Sequence, residues 1–399
     1  MKKPILIIGV LFLSLATLAQ EISHDVSVIN IEIPVRVFKG SKFVNNLTIH
    51  DFEIYEEGEL QKIEAVYLIK KTNIEREETQ MKKDEARKIF APQTSRRFIL
   101  MFEIYEYFPK VGKAIEYFFN EVFMPGDTLK VVTPIKAYNF NVKAFEMFPK
   151  TEIVKNLIGQ VRKDMKLCSA EYRGLLRELE NLRLDEGLDP QLIKLMHSEV
   201  MTRLRNLRYI GEKRLLDFAS FLKKMNGQKH VFLFNQKLVV PLLGRKFSDY
   251  DIDSLKDFEA YTYFDAEKVN QAFSDSSISI HFIFLTKTSG LGVVSTDRIS
   301  VTSRGLSNSG GRILDPVLQD ISGSFFSTFK DIAQATGGTV NSSANAASSF
   351  KKAVNASENY YLIYYNPKSY KADGKFKKIT VKVKGKRFRV THRAGYLAD

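Results

Sequence analysis

Three short runs of nearly continuous apolar residues, set far apart, constrain this chain more than any other feature. They are Phe98-Ile99-Leu100-Met101-Phe102, His230-Val231-Phe232-Leu233-Phe234 and Ile278-Ser279-Ile280-His281-Phe282-Ile283-Phe284. A run of this kind, without alternation, suits a strand buried on both faces inside a parallel sheet. Helical spacing fills the gaps between them. Ile115, Phe118, Phe119 and Val122 share a helical face, as do Ile153, Leu157 and Val161, and then Leu175, Leu179 and Leu182. Residues 128–133, after the turn Pro125-Gly126-Asp127, read as a further strand, and 138–145 as another. Strand and helix in alternation predict an α/β fold with a mostly parallel central sheet.

The flanks carry a different period. Val26, Val28, Ile31, Ile33, Val35 and Val37 mark an alternating strand, residues 51–58 a second and 63–69 a third, so 22–71 is an N-terminal β-segment. Residues 72–95 are rich in Glu and Lys and read as a charged, partly helical linker. The main domain is expected over 96–366, with a helical insertion at about 165–225 and a Ser/Gly-rich loop at 287–324. A long aperiodic stretch of that kind is a mobile loop or a functional surface. In 190–225 the leucines, among them Leu192, Leu195, Leu204 and Leu215, read as core contacts, and Arg203, Arg205 and Arg208 as a solvated face; a docking helix for an acidic partner is the alternative. Residues 325–336 form a helix that Gly337-Gly338 can close with a left-handed cap. In the C-terminal segment, 367–399, strands 376–383 and 387–392 are expected to form a hairpin about Lys384-Gly385-Lys386. Each β-segment is small for a sheet with its own core, so the two are expected to pack together.

Residues 1–19 read as a secretory signal. Lys2 and Lys3 form its basic start, 5–18 its apolar stretch, and Thr17-Leu18-Ala19 sets small residues for cleavage after Ala19. The apolar run falls short of the ~20 residues of a spanning helix, and no later segment is long and apolar enough to span. The expected location is the periplasm or outside the cell. Cys168 is the single cysteine and has no partner for an internal bridge. It is either a buried hydrophobe or an exposed thiol able to link two chains. The formal charge of +14, or +12 without Lys2 and Lys3, favours anionic partners such as lipid headgroups, envelope polymers or acidic proteins. Export argues against nucleic acid.

Three groups of motifs occur in order along the chain. The first is Phe43-Val44-Asn45-Asn46-Leu47-Thr48, then Asp51-Phe52-Glu53-Ile54-Tyr55-Glu56-Glu57-Gly58 and Gln61-Lys62-Ile63. The second is Arg96-Arg97-Phe98-Ile99-Leu100-Met101-Phe102, Pro125-Gly126-Asp127 and Ile332-Ala333-Gln334-Ala335-Thr336-Gly337-Gly338. The third is Tyr360-Tyr361-Leu362-Ile363-Tyr364-Tyr365-Asn366-Pro367, then 373–379, then Arg393-Ala394-Gly395-Tyr396. Together they resemble the VWFA-related family of secreted bacterial proteins. The resemblance implies a Rossmann-like von Willebrand factor A-type domain, whose strand-end edge often holds a divalent metal in an Asp-x-Ser-x-Ser loop. This chain departs from that pattern. Its loop reads Glu103-Ile104-Tyr105-Glu106-Tyr107, and Asn235-Gln236-Lys237 stands where an acid is usual. A tyrosine hydroxyl lies too far from its backbone to replace a serine ligand. The metal site is therefore expected to be degenerate, with no cofactor; weak cation binding by Glu103 and Glu106 is the alternative.

No Gly-x-Ser-x-Gly, His-Glu-x-x-His or phosphate-cradling loop occurs. His197 and His230 lie in or beside apolar segments, and His50, His281 and His392 have no ligand-spaced neighbours. Glu103 and Glu106 are too close in one loop to straddle a cleft as glycoside chemistry requires. The expected function is non-enzymatic. An exported binding or scaffold protein would meet a protein or envelope ligand through Glu103, Tyr105, Glu106, Tyr107, Asn235 and Lys237. The alternatives are a structural component of the envelope using its basic surface, and a hydrolase with an unrecognised site. The tyrosines either form the contact surface or pack beneath the 287–324 loop.

Overall fold

The computed structural model describes residues 29–80, 90, 92–105, 107, 109–140, 145, 147–208, 211–236, 239–260, 265–275, 278–285, 294–295, 318–320, 323–343, 346–385 and 388–399. The expected signal at 1–19, most of the 287–324 loop, Glu106 and Lys237 lie outside them. The chain opens with β1 (Ile31–Lys39), β2 (Lys42–Phe43), β3 (Phe52–Glu56), β4 (Glu59–Gln61), β5 (Ile63–Lys70) and β6 (Asn73–Thr79). Then come β7 (Arg96–Glu103), α1 (Pro109–Tyr117), β8 (Thr128–Val132), β9 (Ala137–Phe140), α2 (Lys150–Leu184), α3 (Pro190–Arg208) and α4 (Glu212–Lys223). Next are β10 (Gln228–Gln236), β11 (Val239–Pro241), α5 (Ser248–Ala260), α6 (Ala266–Asp275), β12 (Ile278–Leu285), β13 (Val294–Ser295) and β14 (Leu318–Asp320). The chain closes with α7 (Gly323–Ala335), β15 (Val340–Ser343), α8 (Ala346–Glu358), β16 (Asn359–Tyr365), β17 (Phe376–Val383), β18 (Arg389–Thr391) and β19 (Gly395–Leu397).

The three apolar runs become β7, β10 and β12, adjacent and parallel in a sheet of order β15-β12-β10-β7-β8-β9. Both faces are covered, which is why the runs do not alternate. Phe98, Leu100, Phe102, Phe232, Phe234 and Ile283 pack with side chains of α1, α2 and α8. Ile99, Val231, Leu233, Ile280, Phe282 and Phe284 pack on the other face with α4, α6 and α7. Only β9 runs antiparallel, because a tight turn closed by the Thr133 N–H on the Lys136 carbonyl (2.9 Å) reverses the chain. The result is a mixed α/β body with a largely parallel sheet.

The N- and C-terminal β-segments form one sandwich. One sheet has the order β18-β1-β16-β5-β6, and the other β19-β17-β3-β4. Ile33, Val35, Ile54, Tyr361, Ile363 and Val381 interleave between them. Glu56 lies in this core and accepts hydrogen bonds from Tyr365 Oη (2.5 Å) and Tyr396 Oη (3.1 Å). Three expectations are corrected here. The strands about Lys384-Gly385-Lys386 are no hairpin: β17 pairs with β3 and β19, whereas β18 pairs with β1 in the facing sheet. Both strands thereby contribute to one core, which a two-stranded ribbon could not enclose. Residues 360–365, assigned to the main domain from sequence, form the strand between β1 and β5. Burial on both faces gives β16 the same apolar look as a parallel strand. Residues 73–79, read as linker, form β6, an edge strand whose charges suit a solvent-facing edge.

The sandwich docks at the amino ends of the parallel strands. Gln228, first in β10, donates to Glu32 (3.0 Å), and Arg36 donates to Ser279 in β12 (3.1 Å). The end of α7 is part of this joint. Gly337 (φ +68°) donates to the Gln334 carbonyl at 3.1 Å and Gly338 to that of Ala333 at 2.7 Å, the paired bonds of a left-handed cap. The Gly337 carbonyl in turn accepts from Arg36 (3.4 Å).

Candidate functional site

The chain leaves β7 toward β8 on one side and returns through β10 on the other. Their carboxyl ends therefore flank the point where the strand order reverses, the usual ligand position in an open α/β sheet. The sandwich occupies the opposite end and leaves this edge to other elements. Glu103 and Asn235 stand opposite each other in register, Glu103 half-buried and Asn235 buried.

Tyr105 does not form a contact surface. It is 7% exposed, and its hydroxyl donates to the Leu207 carbonyl of α3 (3.0 Å). Its ring lies 5.6 Å from that of Tyr172 on α2. Its backbone N–H donates to Gln236 Oε1 across the strand reversal (3.0 Å). The cover is the helical insertion: Tyr172, Leu175, Leu179, Ile193, Leu204 and Val240 share one apolar cluster with Tyr105. The sequence sets Tyr105 two residues after Glu103, the last residue of β7, but does not tell which distant helix lies over it. In the same layer Ile193, Val200 and Leu204 are buried, but Leu192 and Leu195 of α3 are exposed, which corrects their reading as core contacts. Arg203 pairs with Glu178 of α2 (2.9 Å).

Tyr107 is different. It is half-buried and lines a groove of about 1010 Å³ between α1 and α2, together with Lys113, Arg162, Lys166 and Arg173. The Arg162 guanidinium stands 5.5 Å from the Tyr107 ring centroid. Burial raises the Tyr107 hydroxyl above its ordinary range, against the pull of Arg162. Glu116 is the one carboxylate among these lining residues. Gly112 makes room for the arrangement, since a Cβ there would lie 2.9 Å from Tyr107 Oη. The four basic side chains were missed from sequence because Lys113 stands on α1 and Arg162, Lys166 and Arg173 on α2, and the pairing of those helices is tertiary.

Three histidines, His197, His281 and His392, have hydrogen-bond partners within the fold. His197 Nδ1 lies 3.3 Å from Tyr250 Oη, and His281 Nδ1 lies 3.0 Å from Thr339 Oγ1. His392 Nε2 accepts the Val381 N–H (3.2 Å). Among the described residues, no three His, Cys, Asp or Glu side chains gather in a metal-sized group. No helix among those residues is long and apolar enough to cross a membrane.

Cys168 lies on α2, half-buried. Burial first, then the charges of Asp164, Glu103 and Glu171, push its thiol above the ordinary range. The thiolate is the reactive form, so the folded protein should react with a disulfide reagent at pH 7.5 more slowly than free cysteine. Stopped-flow absorbance measures this; a rate equal to that of free cysteine would contradict the placement.

No protein-family model and no curated protein sequence matches the chain. Among solved structures it is similar to the human COPII-coat protein Sec24c, at 8% identity and a TM-score of 0.27. That similarity covers 76% of this chain and 44% of the other, so the chain spans less than half the length of the structure it matches.

Proposed function

We propose that this chain is an exported, non-enzymatic binding protein built on a von Willebrand factor A-type domain, acting in the periplasm or outside the cell without the usual metal. The strand order, with β7 at the centre and β9 antiparallel at the edge, supports that domain type. The observation that carries the binding reading is the groove beside Tyr107. A half-buried aromatic ring flanked by Lys113, Arg162, Lys166 and Arg173 suits an acidic segment of a protein or envelope ligand. The contact residues are Tyr107 and these cations; Tyr105, Asn235 and Glu103 hold the edge in shape, with Tyr105 tied to α3 and to Gln236.

Two lysine or arginine contacts removed together should weaken binding by about tenfold or more, which is about 1.4 kcal/mol. In a pull-down from envelope extract, Arg162→Glu with Lys166→Glu should lose the captured partner, whereas Glu103→Gln should keep it. Capture should be equal in EDTA and in millimolar Mg²⁺. A partner retained only with Mg²⁺, or lost with Glu103→Gln, would sink the metal-independent reading.

A further inference from the structure

A second cleft, of about 1290 Å³, lies between the α/β body and the sandwich, away from the Tyr107 groove. Its position follows from its walls. Lys330, Ala333 and Gln334 come from α7, which covers one face of the parallel sheet, and Lys352 and Asn355 from α8, which covers the other. Thr339, Val340 and Asn341 lie between them. The cleft therefore sits on the open edge of the parallel sheet, where β15 pairs with β12 alone among the described residues. The opposite wall includes Arg389, Val390 and Thr391 of β18, the last strand of the first sandwich sheet. Two sheet edges thus open onto one cleft.

Its charge is one-sided. Lys330, Lys352, Lys378 and Arg389 line it, all exposed, and none is ion-paired among the described residues. Arg389 rests over the Phe38 ring at 4.7 Å. The lining carboxylate, Glu358, lies 3.7 Å from the Lys71 ammonium. An open strand edge offers a row of backbone donors and acceptors that an extended chain can pair with, and side chains alternate to either side of such a chain. A recessed cleft does not admit a flat bilayer.

From these edges and cations we infer that the cleft takes an extended, acidic peptide segment of a partner protein, which adds as a strand to β15 while its carboxylates meet Lys330, Lys352, Lys378 and Arg389. The backbone supplies the pairing and the cations select the sequence. This site is separate from the groove beside Tyr107 and does not depend on it.

Fluorescence anisotropy with the full chain and a labelled peptide of about twelve residues, alternating Glu with Val or Thr, tests the inference. Binding should be saturable and should weaken at least about tenfold with Lys330→Gln plus Lys378→Gln, both exposed positions that leave the fold intact. Arg162→Glu with Lys166→Glu should leave it unchanged, which separates this cleft from the other groove. A peptide with proline at alternate positions should not bind, because it lacks the amides of a strand. Hydrogen exchange at 339–341 should slow on binding. No binding, equal binding of the proline peptide, or equal competition by a sulfated polysaccharide through the same lysines would overturn it.

Discussion

Replacing Gly338 with alanine should lower the unfolding free energy by more than about 4 kcal/mol, the range of the most damaging single substitutions. A Cβ at Gly338 would lie 1.7 Å from the Ile280 carbonyl oxygen and 2.6 Å from its carbon. These are backbone atoms of β12, held between β10 and β15, and they have nowhere to move. Shifting Gly338 instead would break its hydrogen bond to Ala333 and strain the turn where Gly337 accepts from Arg36. The sandwich contact would loosen with it, since the Ala394 N–H donates to the Ala335 carbonyl (2.8 Å) at the same turn. Gly374 is the control. Unlike Gly338 it has a positive φ, +66°, and nothing lies within 4 Å of its absent Cβ, so Gly374→Ala should cost only the backbone strain of about 1–2 kcal/mol. Urea unfolding compares the two. Equal losses would show that the turn is not packed against β12 as described.

Acidification should destabilise the protein through its buried histidines. His230 and His281 lie on neighbouring strands at the joint, both fully covered, with ring centroids 6.5 Å apart. Burial pushes His281 down to about 3, with Arg36 adding to it, and holds His230 well below its ordinary range, with Arg36, His281 and Arg96 adding. Burial pushes His197, beside Tyr250, down to about 4. Arg36 is itself 2% exposed and pushed down to about 10 by burial. The unfolded chain takes up a proton on each histidine near pH 6.5, and the folded chain does not. Their contribution is therefore complete above pH 6.5 and is lost as pH falls below it, by about 2 kcal/mol each for His281 and His197 at pH 5. Glu32, Asp127 and Asp251, each raised by burial, act in the opposite sense. The informative quantity is thus a difference. The stability lost between pH 7 and pH 5 should shrink by about 2 kcal/mol in His281→Gln, and should shrink further when His230→Gln is added. Superimposable pH profiles for the parent and both variants would count against neutral, buried histidines.

Such groups show why part of this protein could be read before its structure. Residues 98–102, 230–234 and 278–284 could be placed as central strands because burial on both faces removes polar residues from a strand, and that is a local property. Gly337-Gly338 was legible for a similar reason, as a left-handed cap is written in the residues that form it. Arg36 was not. It occupies the outward phase of an alternating strand, which usually means solvent, and here it points into the joint against Ser279. The Tyr360–Tyr365 run was readable as a strand but not as a member of the sandwich, because both sheets want the same residue types there.

At the candidate edge the division is sharper. Sequence alone shows that the strand-end loop after Phe102 carries Glu103, Tyr105 and Tyr107 and no serine hydroxyl, since a residue type is the same wherever the chain folds. Which tyrosine faces solvent was decided by the insertion, since Tyr105 bonds to a carbonyl about a hundred residues later while Tyr107 meets a groove between α1 and α2. The two basic clefts are likewise tertiary. Their lysines and arginines are scattered among ordinary surface charges in the chain, and only helix and sheet packing brings them to one wall without enough carboxylates to balance them. Local burial and conformational preference are encoded residue by residue, whereas convergence of charge is a property of which surfaces the core forces together.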